Sequence, residues 1–244
     1  MELQRLLSLT RKAVDDYSQI DEGDKIAVGI SGGKDSLTLL YALANLKRFY
    51  PNTYELGAIT VDLGLPGFDT DPIAKICESL DVPYTVVKTD IYNIIFNDRK
   101  ESNPCSLCAK MRKGSLNEAI KARGYNKVAY GHHKDDVVET LMMSLIYEGR
   151  INTFSPVTYL DRTDITVIRP LLYIDEADII GFANKYDLPV AGKLCPADGY
   201  TKREYVKDLL DGINRDNPGV KDRMFTAIEG SRIKGWNNEK HELS

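Results

Sequence analysis

The stretch KIAVGISGGKDSLTLLYALANL (residues 25–46) contains two periodicities, separated by a glycine-rich turn. KIAVGI (25–30) is a short apolar run, typical of a strand buried on both faces. From Lys34 onward, apolar residues recur at the three- and four-residue spacing of a helix. The intervening SGGKDS (31–36) predicts a phosphate-binding turn, because glycines allow close backbone approach and the N-terminus of a helix attracts an anion.

This turn differs from the Walker A phosphate loop. The Walker pattern has four residues between its first glycine and Gly-Lys-Ser/Thr, whereas three residues separate Gly29 from Gly33 here. Asp35 then stands where the pattern requires Ser or Thr. A tight turn with capping polar residues is the structural alternative. The position directly after a buried strand favours phosphate binding.

The rest of the chain alternates between short apolar runs and helical patterns, which predicts an α/β fold with a doubly wound parallel sheet of about five strands. We expect an N-terminal helix in 1–22, the sheet domain in 23–190, and a small C-terminal helical extension in 191–244 that carries Cys195. The predicted strands are 25–30, 55–61, 84–88, 127–130 and 165–169, and the predicted helices of the sheet domain are 34–47, 70–80, 107–123 and 135–147.

The composition is that of a globular protein. Hydrophobic residues make up 43% of the 244 residues and charged residues 28%, which argues against disorder, collagen and coiled coil. No apolar run approaches the roughly 20 residues needed to cross a bilayer. Charges also interrupt the N-terminal region where a signal peptide would be apolar. We therefore expect a cytoplasmic protein without a membrane partner.

The charge is distributed unevenly. The net charge of -4 gives no global sign of nucleic-acid binding. Residues 99–127, however, contain eight Lys or Arg and two Glu, a net charge of +6. The segment is compatible with a surface that attracts RNA phosphates and, equally, with a solvated helix face.

The segment GHHKDD (131–136) follows the fourth predicted strand and opens a helix. The helix dipole favours carboxylates there, so capping alone would explain Asp135 and Asp136. In the other interpretation, one of these carboxylates orients Mg²⁺ or a reacting group beside bound phosphates. Because the carboxyl ends of parallel strands share one edge of a sheet, we expect four segments to converge on one crevice: SGGKDS, DLGLPG (62–67), the segment that contains Cys105 and Cys108, and GHHKDD.

Three of the four cysteines lie in unusual segments. Cys105 and Cys108 form a Cys-x-x-Cys motif without an adjacent second pair, and Cys195 is a third conspicuous thiol. A zinc half-site, a redox pair and an iron site all fit the motif alone. Three thiolates match an iron–sulfur cluster in which one iron has no protein ligand. Cys77 is expected to be a buried helical thiol.

Together these motifs resemble the tRNA 2-thiocytidine synthetases, cytidine sulfurtransferases of the PP-loop ATP pyrophosphatase superfamily. The resemblance runs from about residue 5 to about residue 228. It rests on SGGKDS together with CSLCAKMRKG (105–114), GHHKDDVVETLMMSLIYEG (131–149) and a downstream cysteine. The segment CPADG (195–199) departs from the family pattern, since it has one cysteine where Cys-x-x-Cys is typical.

The resemblance implies a tRNA sulfurtransferase that uses ATP and Mg²⁺, cuts ATP between the α and β phosphates, and replaces a pyrimidine carbonyl oxygen, that of a cytidine in the anticodon loop, with sulfur. Its partners would be tRNA and either a sulfur donor protein or free sulfide, and a homodimer is compatible with the family. The implied phosphate-binding residues are Ser31, Gly32, Gly33, Lys34, Asp35 and Ser36, and the implied neighbours of the adenosine are Val61, Asp62, Gly131 and His132. The residues implied nearest the reaction are Asp135, Asp136, Arg112 and Lys34, and the implied ligands of a 4Fe-4S cluster are Cys105, Cys108 and Cys195.

Three other functions fit the same motifs. An ammonia-using amidating ligase would share the ATP chemistry but would have no use for three thiolates. A thiolated-base desulfurase would keep the cluster but would not need ATP turnover. A zinc-stabilised nucleotide-binding module would be colourless and would release no pyrophosphate. Bound iron and pyrophosphate release therefore distinguish these alternatives.

Overall fold

A six-stranded sheet forms the centre of the computed structural model, which describes residues 1–99, 104–192 and 201–236. The strands lie in the order β3-β2-β1-β4-β6-β5, and all except β5 are parallel. Their bounds are Asp24–Gly29 for β1, Tyr54–Asp62 for β2, Tyr84–Lys88 for β3, Lys127–Ala129 for β4, Val157–Leu160 for β5 and Ile165–Ile168 for β6.

Helices connect and cover these strands. They are α1 (Leu3–Asp16), α2 (Lys34–Leu46), α3 (Asp71–Ser79), α4 (Pro104–Ala122), α5 (Lys134–Glu148), α6 (Glu176–Lys185), α7 (Lys202–Asp216) and α8 (Val220–Glu229), with a π-helical turn at Asn93–Asp98. The predicted α/β class and its parallel sheet are confirmed, and the four predicted helices of the sheet domain are α2 to α5 with small shifts at their ends. None of the helices in the described part of the chain is long and apolar enough to span a membrane.

The sequence pattern did not predict β5. This strand is a four-residue edge strand that pairs antiparallel with β6, and its residues are half-buried or exposed. Tyr159 is 56% exposed and donates its hydroxyl hydrogen to Asp164 in the turn between the two strands. A short edge strand lacks the continuous apolar run of a buried parallel strand, which explains why it was missed.

The strand order creates a crevice at the carboxyl edge of the sheet. The chain runs from β1 outward to β2 and β3, and then returns to place β4 on the other side of β1. Ligands of open parallel sheets bind at such a reversal. Alternate residues of β1 support both faces, since Ile26 and Val28 pack in one core cluster and Ala27 in another.

Helices α7 and α8 pack against α5 through a third core cluster. Val206 and Phe225 contribute to this cluster together with Val137 of α5. Trp236 is fully buried there, and its indole N–H donates to the carbonyl of Phe154 at 2.9 Å. The C-terminal helices are thereby fixed beside the start of α5, at the same edge of the sheet as the glycine-rich turn.

Candidate functional site

A cavity of about 550 Å³ lies at the carboxyl edge of the sheet, between the segments that follow β1 and β4. One wall is apolar and includes Ile59, Val61 and Leu63 from β2 and the residue after it. The other walls come from the glycine-rich turn, from α4 and from the ends of β4 and β6. The sequence-predicted residues that line this cavity are Ser31, Asp35, Ser36, Val61, Arg112, Gly131, His132 and Asp136.

The glycine-rich turn is ordered by its own side chains. The Ser36 hydroxyl donates to the carbonyl of Gly33 at 2.9 Å, and the backbone N–H of Ser31 donates to the Ser36 hydroxyl at 3.2 Å. Gly32 has a φ of +83°, a conformation that favours glycine. The turn leads directly into the N-terminus of α2, so backbone N–H groups and the positive end of the helix meet at the cavity.

Gly131 brings the end of β4 into close contact with this turn. A Cβ atom at position 131 would lie 2.8 Å from the carbonyl carbon and oxygen of Asp35 and 3.0 Å from the backbone nitrogen of Ser36. Such distances are shorter than a Cβ atom can tolerate without displacement of the turn. The absence of a side chain at Gly131 therefore sets the position of the turn relative to β4.

A second cavity of about 300 Å³ adjoins the first, with Asp35 and Asp136 in both linings. Lys34 points into this smaller cavity, where its ammonium lies 3.1 Å from Asp35 Oδ1 and 3.0 Å from Glu176 Oε1. Burial opposes the charged form of Lys34, but Asp35 and Glu176 outweigh it and raise its pKa. Lys34 is thus a charged group that two carboxylates hold at the start of α2.

Helix α7 adds two more cations to the smaller cavity. Lys207 lies 2.6 Å from Glu176 Oε2, and Arg203 lies 3.0 Å from Asp136 and 3.2 Å from Glu139. Burial opposes ionisation of Glu176, but Lys207 and Lys34 outweigh it and lower its pKa to about 2. Burial, followed by the charge of Asp136, raises the pKa of Glu139.

Asp135 and Asp136 are adjacent in sequence but have different surroundings. Asp135 lies outside the linings of both cavities: its Oδ2 accepts the N–H of Glu176 at 2.8 Å, and its Oδ1 contacts Lys221 at 3.0 Å. Burial opposes ionisation of Asp135, but these two donors outweigh it and lower its pKa. Asp136 lines both cavities, and its Oδ2 accepts the N–H of His133 at 3.0 Å. Asp135 therefore joins α5, α6 and α8, whereas Asp136 faces the site.

Asp62 belongs to a turn of its own. Its carboxylate accepts the N–H of Gly64 at 2.9 Å, which shapes the segment after β2, and it does not line either cavity. The turn residues Gly32 and Gly33 also lie outside the two linings. The structure therefore brings most of the predicted nucleotide-binding residues to one place and sets Asp62 and Asp135 beside it.

The thiols of Cys105 and Cys108 lie in the first turns of α4, at a spacing that places them on one face of the helix. Cys105 is exposed and Cys108 is half-buried. The next turn of the same helix supplies Ala109 and Arg112 to the wall of the larger cavity. Cys77, by contrast, is buried in α3, and burial raises the pKa of its thiol to about 11.

The third predicted thiol, Cys195, lies outside the described residues. The described chain on either side of it reaches the site: Ala191 donates its N–H to the carbonyl of Gly32 at 2.9 Å, and Thr201 lines the smaller cavity. Within residues 1–99, 104–192 and 201–236, no group of three or more His, Cys, Asp or Glu side chains could hold a metal ion. The thiolate pair on α4 has the donor chemistry that iron–sulfur clusters take.

Arg169 is a residue of the larger cavity that the sequence analysis did not assign. It directly follows β6, is 8% exposed, and has no carboxylate within 4.0 Å among the described residues. Its Nε donates to His132 Nδ1 at 3.3 Å, and its Nη1 donates to the carbonyl of Ser155 at 2.5 Å and to the hydroxyl of Thr158 at 3.2 Å. The only sequence signal was an arginine at the end of a predicted strand (165–169).

The chain is similar to several known proteins. A family model described as PP-loop domain matches residues 5–192. The tRNA-cytidine(32) 2-sulfurtransferase of Geobacter metallireducens is 41% identical over 220 residues, which cover 89% of this chain and 86% of that protein. The protein of the same name from Aliivibrio salmonicida is 38% identical over 222 residues, which cover 90% of this chain and 72% of that protein.

Two solved structures have similar folds. The U34-tRNA thiolase NcsA from Methanococcus maripaludis, solved with its [4Fe-4S] cluster, matches with a TM-score of 0.73 and 28% identity. The match covers 90% of this chain and 76% of that chain. The NMN synthetase of Francisella tularensis matches with a TM-score of 0.54 and 14% identity, and covers 99% of this chain and 95% of that chain. At that identity the second match shows the fold alone.

Proposed function

The chain belongs to the PP-loop family, among the tRNA-cytidine 2-sulfurtransferases, and we propose on that premise that it uses ATP to replace the 2-oxygen of a tRNA cytidine with sulfur. The observation that carries the proposal is that one cavity is lined both by the glycine-rich turn and by the helix that bears the thiol pair. Ser31 and Ser36 come from the turn, and Arg112 lies one helical turn beyond Cys108. Activation and sulfur transfer would thus occur in one cavity. We expect the reaction to take place in the cytoplasm.

The first proposed step converts a poor leaving group into a good one. The 2-oxygen of the cytosine attacks the α-phosphorus of ATP, a new O–P bond forms, and the bond from the α-phosphorus to the oxygen that bridges to the β-phosphate breaks. Pyrophosphate departs with that electron pair. In this proposal, backbone N–H groups of the turn, the N-terminus of α2 and Lys34 would stabilise the charge on pyrophosphate, and such stabilisation is usually the largest catalytic contribution.

The thiol pair fits the sulfur-transfer step. We propose that Cys105, Cys108 and Cys195 hold a 4Fe-4S cluster. The described pair lies on one face of α4, Ala191 bonds to Gly32 of the turn, and Thr201 lines the smaller cavity, so described residues on both sides of Cys195 in the chain reach the site. When bound, the cluster supplies a sulfur nucleophile for the displacement of AMP from the activated base. The sulfur itself would come from a donor protein or from free sulfide.

Mg²⁺ fits the wall shared by the two cavities. Mg²⁺ takes oxygen ligands and usually binds one or two carboxylates together with phosphate oxygens and waters. Asp35 and Asp136 are the carboxylates that line both cavities, so either is placed to hold the ion beside the triphosphate. Asp135 lines neither cavity and is bonded to Glu176 and Lys221, so we assign this role to Asp35 or Asp136 rather than to Asp135.

The surface of α4 fits the tRNA. Lys110, Arg112, Lys113 and Lys121 are exposed on this helix, within the segment whose net charge is +6. Because Arg112 and Lys113 also line the larger cavity, phosphates attracted to this surface would bring a base to its entrance.

The proposed function can be tested with protein purified anaerobically and supplied with iron and sulfide. Incubation with tRNA, ATP, Mg²⁺ and sulfide should yield 2-thiocytidine on mass spectrometry of the nucleosides, together with AMP and pyrophosphate. Cys108→Ala should remove the absorbance near 400 nm (roughly where iron–sulfur clusters absorb) and the thiolation, whereas Cys77→Ala should keep both. Colourless protein with stoichiometric zinc, amidation of an acceptor, or loss of sulfur from tRNA would each contradict the proposal.

A further inference from the structure

Arg169 is a buried cation without a counter-ion among the described residues. Its side chain lines the larger cavity, and the groups that contact it are neutral: an imidazole, a carbonyl, a hydroxyl and the ring of Phe154, whose centre lies 4.9 Å from the guanidinium carbon. Burial lowers the pKa of Arg169 to about 10, so the group stays charged at neutral pH. A buried charge is costly unless an opposite charge approaches it. A ligand in the cavity is a natural source of that charge.

The backbone and side chain of Arg169 are both fixed. The buried carboxamide of Gln19 accepts the N–H of Arg169 at 2.9 Å and donates to its carbonyl at 3.3 Å. A guanidinium has five N–H groups. The bonds to His132, Ser155 and Thr158 use three of them, which leaves the two N–H groups of Nη2 without a partner among the described residues.

His132, which lines the same cavity, adds a further N–H donor to that of Arg169. Because arginine can only donate, His132 Nδ1 accepts the hydrogen of Arg169 Nε and carries no proton. Burial and the neighbouring charge of Arg169 lower the pKa of His132 to about 4, so the ring is neutral. A neutral ring with an unprotonated Nδ1 carries its hydrogen on Nε2. Arg169 and His132 therefore both offer N–H groups to a ligand, and Arg169 also carries a positive charge.

We propose that Arg169 and His132 bind the α-phosphate of the nucleotide, the phosphate that stays with the base-bound AMP after pyrophosphate has left. This inference rests on the proposed function. The turn after β1 would hold the two departing phosphates, and Arg169 follows β6, which is separated from β1 by β4. Two strand spacings of about 4.8 Å put the two backbone segments roughly 10 Å apart along the sheet edge. The side chain of Arg169 extends into the cavity that Ser31 and Ser36 of the turn also line, so it can contact the phosphate next to those that the turn would hold. Gln19, Ser155 and Thr158 would act as positioning residues for Arg169.

The test compares AMP with adenosine, which lacks the phosphate. Isothermal titration calorimetry on the full chain should show that the wild type binds AMP more tightly than adenosine. In Arg169→Met that preference should fall by roughly 10-fold to 100-fold, the usual value of a hydrogen bond to a charged group. Its affinity for adenosine should not change. Arg169→Lys, which keeps the charge, should retain part of the preference and covers the case in which Arg169→Met does not fold.

The matched control is Arg162→Met, at an exposed arginine in the turn between β5 and β6, which should leave both affinities unchanged. Binding of tRNA should also be unchanged in Arg169→Met. An intact preference for AMP would overturn the inference, and an intact preference combined with weaker tRNA binding would assign Arg169 to an RNA phosphate instead. Equal weakening of AMP and adenosine would show a structural role only. A wild type without any preference for AMP would contradict the proposed function as well.

Discussion

The two adjoining cavities differ in whether their cations have carboxylate partners. In the smaller cavity, each lysine or arginine contacts a carboxylate: Lys34 and Lys207 contact Glu176, and Arg203 contacts Asp136. In the larger cavity, Arg169 is buried among neutral groups, and its Nη2 hydrogens have no partner in the described chain.

This difference separates structure from binding. Charges that are neutralised within the protein hold α2, α6 and α7 together around the glycine-rich turn, and they need no ligand to be stable. A charge that the protein leaves unneutralised gains its partner only when an anion enters. The ion pairs around the smaller cavity therefore stabilise the site, and we propose that the nucleotide binds in the larger cavity.

Lys34 forms an ion pair with Glu176 and, in the proposed mechanism, also stabilises the departing pyrophosphate. Its loss should therefore have the largest effect. Lys34→Met should lower pyrophosphate release by about 100-fold to 1,000-fold, because in the proposed mechanism the ammonium of Lys34 stabilises the charge on the departing pyrophosphate. Lys207→Met is the matched control, since it removes the other cation that contacts Glu176 and should cost less than about tenfold. Equal losses in both variants, measured as pyrophosphate per unit time, would contradict the assignment of Lys34 to the departing pyrophosphate.

A substitution at Gly131 tests how precisely the glycine-rich turn must be positioned relative to β4. Gly131→Ala would put a Cβ atom 2.8 Å from the carbonyl of Asp35 and should displace the turn, with a loss of about 1–3 kcal/mol in stability and of about tenfold or more in ATP turnover. Gly212→Ala in α7 has nothing within 4 Å and should slightly stabilise the protein. Denaturant unfolding and pyrophosphate assays would measure both effects. Normal activity in Gly131→Ala would show that the close approach is not required.

The exposed cations of α4 extend the comparison to the surface. Replacement of both Arg112 and Lys113 by alanine should weaken tRNA binding by about tenfold and should lower the slope of log affinity against log salt by roughly 1–2, as expected when phosphate contacts are lost. Alanine at Lys75, an exposed residue of α3, serves as the control. Fluorescence anisotropy at several salt concentrations would detect the change. Unaltered affinity and slope would show that the basic segment is a solvated helix face and not a binding surface for tRNA.

The smallest expected effect is that of Glu176→Gln on the free energy of unfolding, and it should depend on pH. Since its pKa is lowered to about 2 in the folded chain, its stabilisation is complete above about pH 4.5 and is lost as the pH falls toward 2. Glu176→Gln should therefore cost about 1–2 kcal/mol of unfolding free energy near pH 7, with solvent screening taken into account, and less near pH 3.5. Urea unfolding at both pH values would measure the difference. A cost that does not depend on pH would contradict an ionised Glu176 in the network.

The sequence predicted the features that depend on local patterns. A buried strand, the glycines at 32 and 33 and the helix that begins at Lys34 lie next to each other in the chain, so their joint role could be inferred without a structure. The convergence of this turn with Gly131, His132 and Arg112 followed from the parallel order of the strands.

The features that the sequence did not predict depend on contacts between distant segments. Arg169 obtains its environment from Gln19, His132 and the segment that contains Ser155, and no spacing in the sequence connects these residues. Asp135 and Asp136 were also indistinguishable in sequence. Adjacent residues of a helix point about 100° apart, and only the packing of α6 and α8 shows that Asp135 contacts Glu176 and Lys221 whereas Asp136 lines the cavities.

The most direct test of the proposed chemistry follows the oxygen that leaves the base. A tRNA would be prepared with ¹⁸O at the 2-position of the target cytidine and incubated with the anaerobic protein, ATP, Mg²⁺ and sulfide. If the base oxygen attacks the α-phosphorus, mass spectrometry should find the ¹⁸O in the phosphate of AMP, in an amount equal to the 2-thiocytidine formed. Unlabelled AMP alongside thiolated tRNA would contradict adenylation of the base.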